Sequence, residues 1–160
     1  MIVAINFDGA CEPVNPGGVG TWGFIIRDLP GRSVPVYGVG IVEPLSVPMT
    51  NNVAEWVALG KALAFVDSNY RSVLKPASEH SLLISGDSKL VVEQLSGRWA
   101  CNAANLRPLL ARCRELLTSI GCPWSATWVK RDFNTAADSL TQAAYVGATG
   151  KPFPVREKKK

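Results

Sequence analysis

The chain has 160 residues, 47% of them apolar and 19% charged, which excludes intrinsic disorder and suits one domain with a buried core. No apolar run approaches the roughly 20 residues needed to span a bilayer, so a membrane partner is not expected. The net charge of +4 lies wholly in the last ten positions, where Lys151, Arg156, Lys158, Lys159 and Lys160 face one acid, Glu157; the neutral body excludes a generally basic nucleic-acid binder and leaves any polyanion to a local patch plus this tail.

The first strand is expected over Ile2–Asp8, a β-rich run halted by Gly9. It starts without the basic segment of a signal peptide, so a cytoplasmic protein is expected; a monomer is expected as well. Pro13–Gly20, with two prolines and three glycines, is a turn or loop. Thr21–Arg27 and Val36–Val42 are two more strands, separated by Gly31-Arg32, and the three form an antiparallel meander. Pro44–Met49 is a linker. Thr50, Asn51 and Asn52 then offer cap chemistry to a helix over Val53–Asn69. A short buried strand follows over Ser81–Ser85, and Asp87-Ser88 cap a helix reaching Leu95. After a break from Gly97 to Asn105, Leu106–Ile120 shows an apolar face and ends at Gly121 and Pro123. Trp124–Val129 is the fifth strand. A last helix runs from Asn134 to Val146, capped by Asn134 or Thr135.

The order β-β-β-α-β-α-α-β-α predicts an α/β fold with a mixed five-stranded sheet flanked by helices. Residues 1–147 are expected to form the domain and 148–160 a disordered basic tail. Cys11, Cys101, Cys113 and Cys122 include no CxxC pair, which argues against structural zinc and for free thiols.

Four of the thirteen acids stand out by position. Asp8 ends an otherwise apolar strand, and Asp87 follows Leu82-Leu83-Ile84-Ser85-Gly86 in the same way. Glu55 and Asp138 each lie about one turn into a helix. Strand ends and helix starts can converge at one edge of a sheet, which would gather all four. At about 5 Å and an effective dielectric near 20, each pair would repel by on the order of 3 kcal/mol. Divalent cations relieve such repulsion. Mg²⁺ takes hard oxygen ligands, and two ions roughly 4 Å apart can hold an attacking water and a leaving oxygen on opposite sides of a phosphorus. Taken singly, Asp87 also reads as a helix cap and Asp138 as a first-turn acid suited to the helix dipole.

The local sequences narrow this. Asn6-Phe7-Asp8-Gly9-Ala10-Cys11 with Asn15-Pro16-Gly17-Gly18-Val19-Gly20 resembles the first hairpin of the type 1 ribonuclease H family. Thr50-Asn51-Asn52-Val53-Ala54-Glu55 resembles that family's TNN-x-x-E helix start. Ser85-Gly86-Asp87-Ser88-Lys89-Leu90-Val91 resembles its third acidic motif, and Trp128-Val129-Lys130-Arg131 with Asn134-Thr135-Ala136-Ala137-Asp138 its last strand and helix. The likeness covers residues 1–147 in the family's order. It implies a ribonuclease H-like fold and cleavage of the RNA strand of RNA–DNA hybrids, with two Mg²⁺ ions for which Mn²⁺ can substitute, leaving 5′-phosphate and 3′-hydroxyl ends. Asp8 and Asp87 would ligate metal directly. Glu55 would bind the ion that activates water and help orient the RNA 2′-hydroxyl, and Asp138 would complete the second site. Asn15, Thr50, Asn51 and Asn52 match positions near the substrate, where uncharged groups suit backbone and minor-groove contacts; turn and cap chemistry is the other reading of Asn15 and Thr50.

Two departures stand beside the likeness. The segment before the last helix, Lys130-Arg131-Asp132-Phe133, lacks the mobile histidine of the best-known members, and the sole histidine, His80, is expected on the surface. Arg131 is a candidate for helping product leave. The long basic insertion is also missing, since Leu95-Ser96-Gly97-Arg98-Trp99 leads almost directly into the third helix. The chain therefore resembles the compact subgroup of archaea and some bacteria, with Lys89, Arg98, Trp99, Lys130 and the terminal lysines left to grip the hybrid. Two alternatives remain: a nuclease of the same fold acting on another nucleic acid such as double-stranded RNA, and a non-catalytic hybrid-binding module.

Overall fold

A computed structural model describes residues 1–43, 48–75 and 79–154. In chain order its elements are β1 (Ile2–Glu12), β2 (Val19–Arg27), β3 (Val36–Ile41), α1 (Asn51–Leu74), β4 (Ser81–Gly86), α2 (Lys89–Leu95), α3 (Arg107–Ile120), β5 (Trp124–Trp128), a 3-10 turn (Arg131–Phe133) and α4 (Thr135–Thr149). The strands form one mixed sheet in the order β3-β2-β1-β4-β5. The meander β1-β2-β3 is antiparallel, whereas β4 and β5 add to β1 in parallel, each reached through helices as parallel neighbours require. The element order is the expected one. Among the described residues no helix is long and apolar enough to cross a membrane.

Alternation along β1 divides the two faces of the sheet. Val3, Ile5 and Phe7 point into the main core with Trp56, Leu59, Leu63 and Val66 of α1, Leu82 and Ile84 of β4, and Leu116, Leu117 and Ile120 of α3. The other face is covered by α4, which lies across β1, β2 and β3. Asp8 pairs directly with Gly23, and a Cβ on Gly23 would stand 2.7 Å from Leu140 Cβ of α4. Asp8 therefore belongs to the α4 face, and the bare Gly23 lets α4 approach closely enough for Asp138 to reach it.

Several boundaries differ from expectation, each for a tertiary reason. β1 does not stop at Asp8, because its antiparallel ladder with β2 continues to the Glu12–Val19 pair. Its parallel ladder with β4 ends at Phe7–Gly86, so Asp8 is the first residue past that ladder, where the sheet opens on one side only. α1 runs past Asn69 to Leu74, a fully buried residue that rewards the extra turn. α4 continues beyond Val146 to Thr149, and the Phe153 ring packs edge-on against Tyr145 at 5.6 Å. The first residues of the expected tail thus pack on the domain, while residues 155–160 lie outside the described residues, as does most of the expected 44–49 linker.

Candidate functional site

Asp8, Glu55 and Asp87 each place a carboxylate oxygen within 4.8 Å of the others. Asp8 is the hub: it also lies within hydrogen-bonding reach of Asp138, whose charge acts on Asp87 as well. Four acids from β1, α1, the end of β4 and α4 therefore share one neighbourhood.

Local chemistry explains each placement. Glu55 is brought in by the start of α1, which Thr50 caps by accepting a hydrogen bond from Val53 N at 3.1 Å. Asn15, from the β1–β2 loop, accepts another from Asn51 N at 3.0 Å, tying that loop to the same helix end. The helix reaches β1 because Gly9 has no side chain; a Cβ there would sit 2.2 Å from the Ala54 carbonyl carbon. Asp87 follows the last β4 residue, and its carbonyl accepts from Trp128 Nε1 at 3.1 Å. Ser88, not Asp87, caps α2, accepting from Val91 N. That leaves the Asp87 carboxylate for the cluster. Asn134, expected to cap α4, stands at the cap position without making a cap bond. Its amide instead donates to Phe7 O at 2.9 Å, clamping α4 to β1.

The electrostatics are those of crowded, buried carboxylates. Asp8 and Glu55 are only 4% and 3% exposed, and burial is the largest cause raising both pKa values well above the ordinary range. For Asp8 the next cause is the Asp87 charge, and for Glu55 it is Asp8. Asp87 is raised by burial too, partly offset by Arg131, whose Nε stands 3.9 Å from Asp87 Oδ2. Arg131 is more than half exposed, so it neutralises the pocket weakly. Glu55 Oε2, Asp87 Oδ2 and Asp138 Oδ1 are buried without a hydrogen-bond donor among the described residues. Ionised carboxylates only accept, and pointing several acceptors at one another costs free energy unless a cation fills the space between them. The donor set, all hard oxygen, fits a divalent metal of the magnesium class.

Because the folded state holds the Glu55 proton more tightly than the unfolded chain, this group stabilises the fold below its ordinary value of 4.5, and that contribution is lost as pH rises through the raised folded value. In chelator, Glu55→Gln is therefore expected to gain melting temperature relative to wild type as pH increases from 4.5 to 8. A gap that stays flat over that range would show that Glu55 ionises without strain.

The other expected site residues divide. Asn15, Thr50, Asn51 and Asn52 gather where the β1–β2 loop meets the start of α1, beside Glu55, and the first two already serve as caps. Lys89 is exposed at the first position of α2. His80 is half-buried rather than on the surface and precedes β4, at the opposite end of that strand from Asp87. Sequence reasoning missed Gly9 and the bonding role of Asn134. The available signal was Asn6, a polar residue inside an apolar strand, which donates to Asn134 Oδ1 at 3.2 Å.

The chain is similar to several known proteins. Residues 6–144 match the family model described as reverse transcriptase-like. The chain is 37% identical over 139 residues to "Ribonuclease HI" of Halobacterium salinarum, covering 86% of this chain but 61% of that protein, so it spans about three-fifths of the relative's length. The crystal structure of RNase H1 from the same archaeon superposes with a TM-score of 0.73 at 34% identity, over 92% of this chain and 99% of that one. "Ribonuclease H" of Anaeromyxobacter sp. (strain K) is 33% identical over 165 aligned positions, covering 91% of this chain and 81% of the relative. LC11-RNase H1, solved in complex with an RNA/DNA hybrid, shares the fold with a TM-score of 0.75 at 23% identity, over 91% of this chain and 98% of that chain.

Proposed function

The chain belongs to the type 1 ribonuclease H family, and from that premise we propose that it is an endoribonuclease hydrolysing the RNA strand of RNA–DNA hybrids. The observation that carries this reading is the group of buried, acceptor-only oxygens of Asp8, Glu55 and Asp87 within 4.8 Å, at the point where the sheet opens beyond β4. We propose two Mg²⁺ ions there, with Mn²⁺ able to substitute. Asp8, Glu55 and Asp87 would hold one, and Asp8 with Asp138 the other. Bound there, the metal pair would supply an activated water and charge stabilisation for in-line attack on a phosphodiester.

The chain's own residues do the remaining work. Glu55, the most enclosed acid, orients the RNA 2′-hydroxyl, the group that separates RNA from DNA. Asn15, Thr50, Asn51 and Asn52 line the approach to Glu55 with uncharged donors and acceptors suited to backbone and minor-groove contacts. Arg131 stands beside Asp87 on a short turn, where its exposed guanidinium can draw a freshly formed phosphate away. Lys89 offers a further backbone contact from the start of α2. We place the enzyme in the cytoplasm as a monomer, with residues 1–147 as its catalytic domain and the basic terminal residues as added grip on the polyanion.

The test is cleavage of matched RNA–DNA hybrid, double-stranded RNA and double-stranded DNA, with Mg²⁺, Mn²⁺ or chelator. Cutting of the hybrid's RNA strand alone, dependent on divalent ion and leaving 5′-phosphate and 3′-hydroxyl ends, is the expected result. Equal cutting of double-stranded RNA would move the assignment to another nuclease of this fold. Hybrid binding with no cleavage under any ion would make the chain a binding module.

A further inference from the structure

We propose that Asn134 is the positioning residue of the acidic site and that Arg27 and Asn6 fix the direction of its amide through a polarised chain of hydrogen bonds. The proposal rests on the hydrolase reading above and adds residues outside the acidic set.

Asn134 is 2% exposed and touches three of the four acid-bearing segments. Its side-chain NH₂ donates to Phe7 O, the carbonyl directly before Asp8, at 2.9 Å. The same side chain lies near enough to Asp87 to draw that acid's pKa down, as a donor does. Its backbone carbonyl accepts from Asp138 N at 3.1 Å, the bond that sets the first turn of α4. A residue at a helix N-cap ordinarily turns its side chain onto its own helix, yet Asn134 makes no such bond and directs its amide to β1 and Asp87.

A primary amide can face either way, so its direction needs a cause. Guanidinium is donor-only, and Arg27 Nη1 donates to Asn6 Oδ1 at 3.3 Å. Asn6 must then present its NH₂ onward, and it donates to Asn134 Oδ1 at 3.2 Å. Asn134 is thereby obliged to turn its NH₂ toward Phe7 O and Asp87. A flipped amide would aim Oδ1 at a carbonyl and a carboxylate. The half-buried Arg27 on β2 thus dictates, through two asparagines, that the acidic pocket receives a donor on its α4 side.

Asn6→Asp is the discriminating variant. The new carboxylate still accepts from Arg27 but offers no donor, so Asn134 must flip and repel Asp87. Metal affinity, read by calorimetry with Mn²⁺ alone, is expected to fall by about 10–100-fold, as when the partners that orient metal ligands are lost. Added negative charge by itself would strengthen cation binding, so a loss of affinity isolates the flip of Asn134 from the change of charge. Asn6→Ala, which removes the cause without reversing it, is expected to lose less affinity than Asn6→Asp. Unchanged or tighter Mn²⁺ binding by Asn6→Asp would overturn the proposal. If Asn6→Asp does not fold, Arg27→Met decides: about a threefold or greater loss of affinity supports the chain, and wild-type affinity removes it. Wild type is titrated in parallel and assayed on hybrid. Failure of wild type to bind Mn²⁺ or cleave would strike the functional reading instead.

Discussion

Replacing Asp8 with asparagine is expected to abolish hybrid cleavage, by roughly a thousandfold or more, while leaving a folded protein that melts higher than wild type in chelator. Asp8 is the one acid within reach of the other three, so its charge would be shared by both metal positions. A thousandfold loss is about 4 kcal/mol of transition-state stabilisation, within what a lost metal ligand removes. The gain in stability has a separate origin. Burial and the Asp87 charge both press Asp8 toward its protonated form, so in the metal-free wild type any ionisation of this group costs stability that a neutral side chain does not lose. Asparagine is nearly isosteric and neutral, and its NH₂ supplies the cluster with a donor. Opposite signs on turnover and stability mark an acid kept for chemistry. Turnover within tenfold of wild type would remove Asp8 from the metal set, and a lower melting temperature in chelator would show that its carboxylate supports the fold. Asp87→Asn should follow the same pattern with a smaller gain in stability, because Arg131 already offsets part of its charge.

The order of elements was legible because apolar periodicity and turn residues are local signals. The run Leu82-Leu83-Ile84 reads as a buried strand in any context, and Gly121 with Pro123 reads as a helix stop. Strand and helix ends were harder wherever the deciding partner lay far away in sequence. β1 continues past Asp8 because β2 pairs with it to Val19, and Gly9, an apparent strand breaker, is there for packing against α1. Asp8 and Asp87 were identifiable by an odd placement, a charge at the edge of an apolar run, and Glu55 and Asp138 by lying about one turn into a helix that starts near the same sheet edge. The residues that hold them were not, because Asn134 and Ser88 carry the same cap signature. Ser88 bonds within its own helix, and only a tertiary contact shows that Asn134 bonds to β1 instead. The alternative reading of Asp87 as a mere cap fails because Ser88 next to it does that work.

Gly9→Ala, one added methyl group, is expected to disable the enzyme and destabilise it together. The new Cβ would lie 2.2 Å from Ala54 C, 2.3 Å from Glu55 N and 2.4 Å from Ala54 O. All three are backbone atoms, so no rotamer change relieves the overlap and the first turn of α1 must back away. That turn cannot move alone. Trp56 and Leu59 are buried in the core just beyond it, and Asn15 and Thr50 hold its amides from the other side. Overpacking of this kind costs about 3 kcal/mol, which for a chain of this size lowers the melting temperature by roughly 10 °C. Glu55 moves with its own nitrogen, and a displacement of about 1 Å at a reacting centre is enough for a loss on the order of a hundredfold in turnover. Gly60 is the control on the same helix. A Cβ there meets only Cys113 Sγ, at an ordinary 3.8 Å, and alanine is the better helix former by roughly 0.5–1 kcal/mol. Gly60→Ala should therefore raise the melting temperature and leave cleavage unchanged. Should Gly9→Ala match wild type in both measurements, the close approach of β1 and α1 would not be what sets Glu55 beside Asp8.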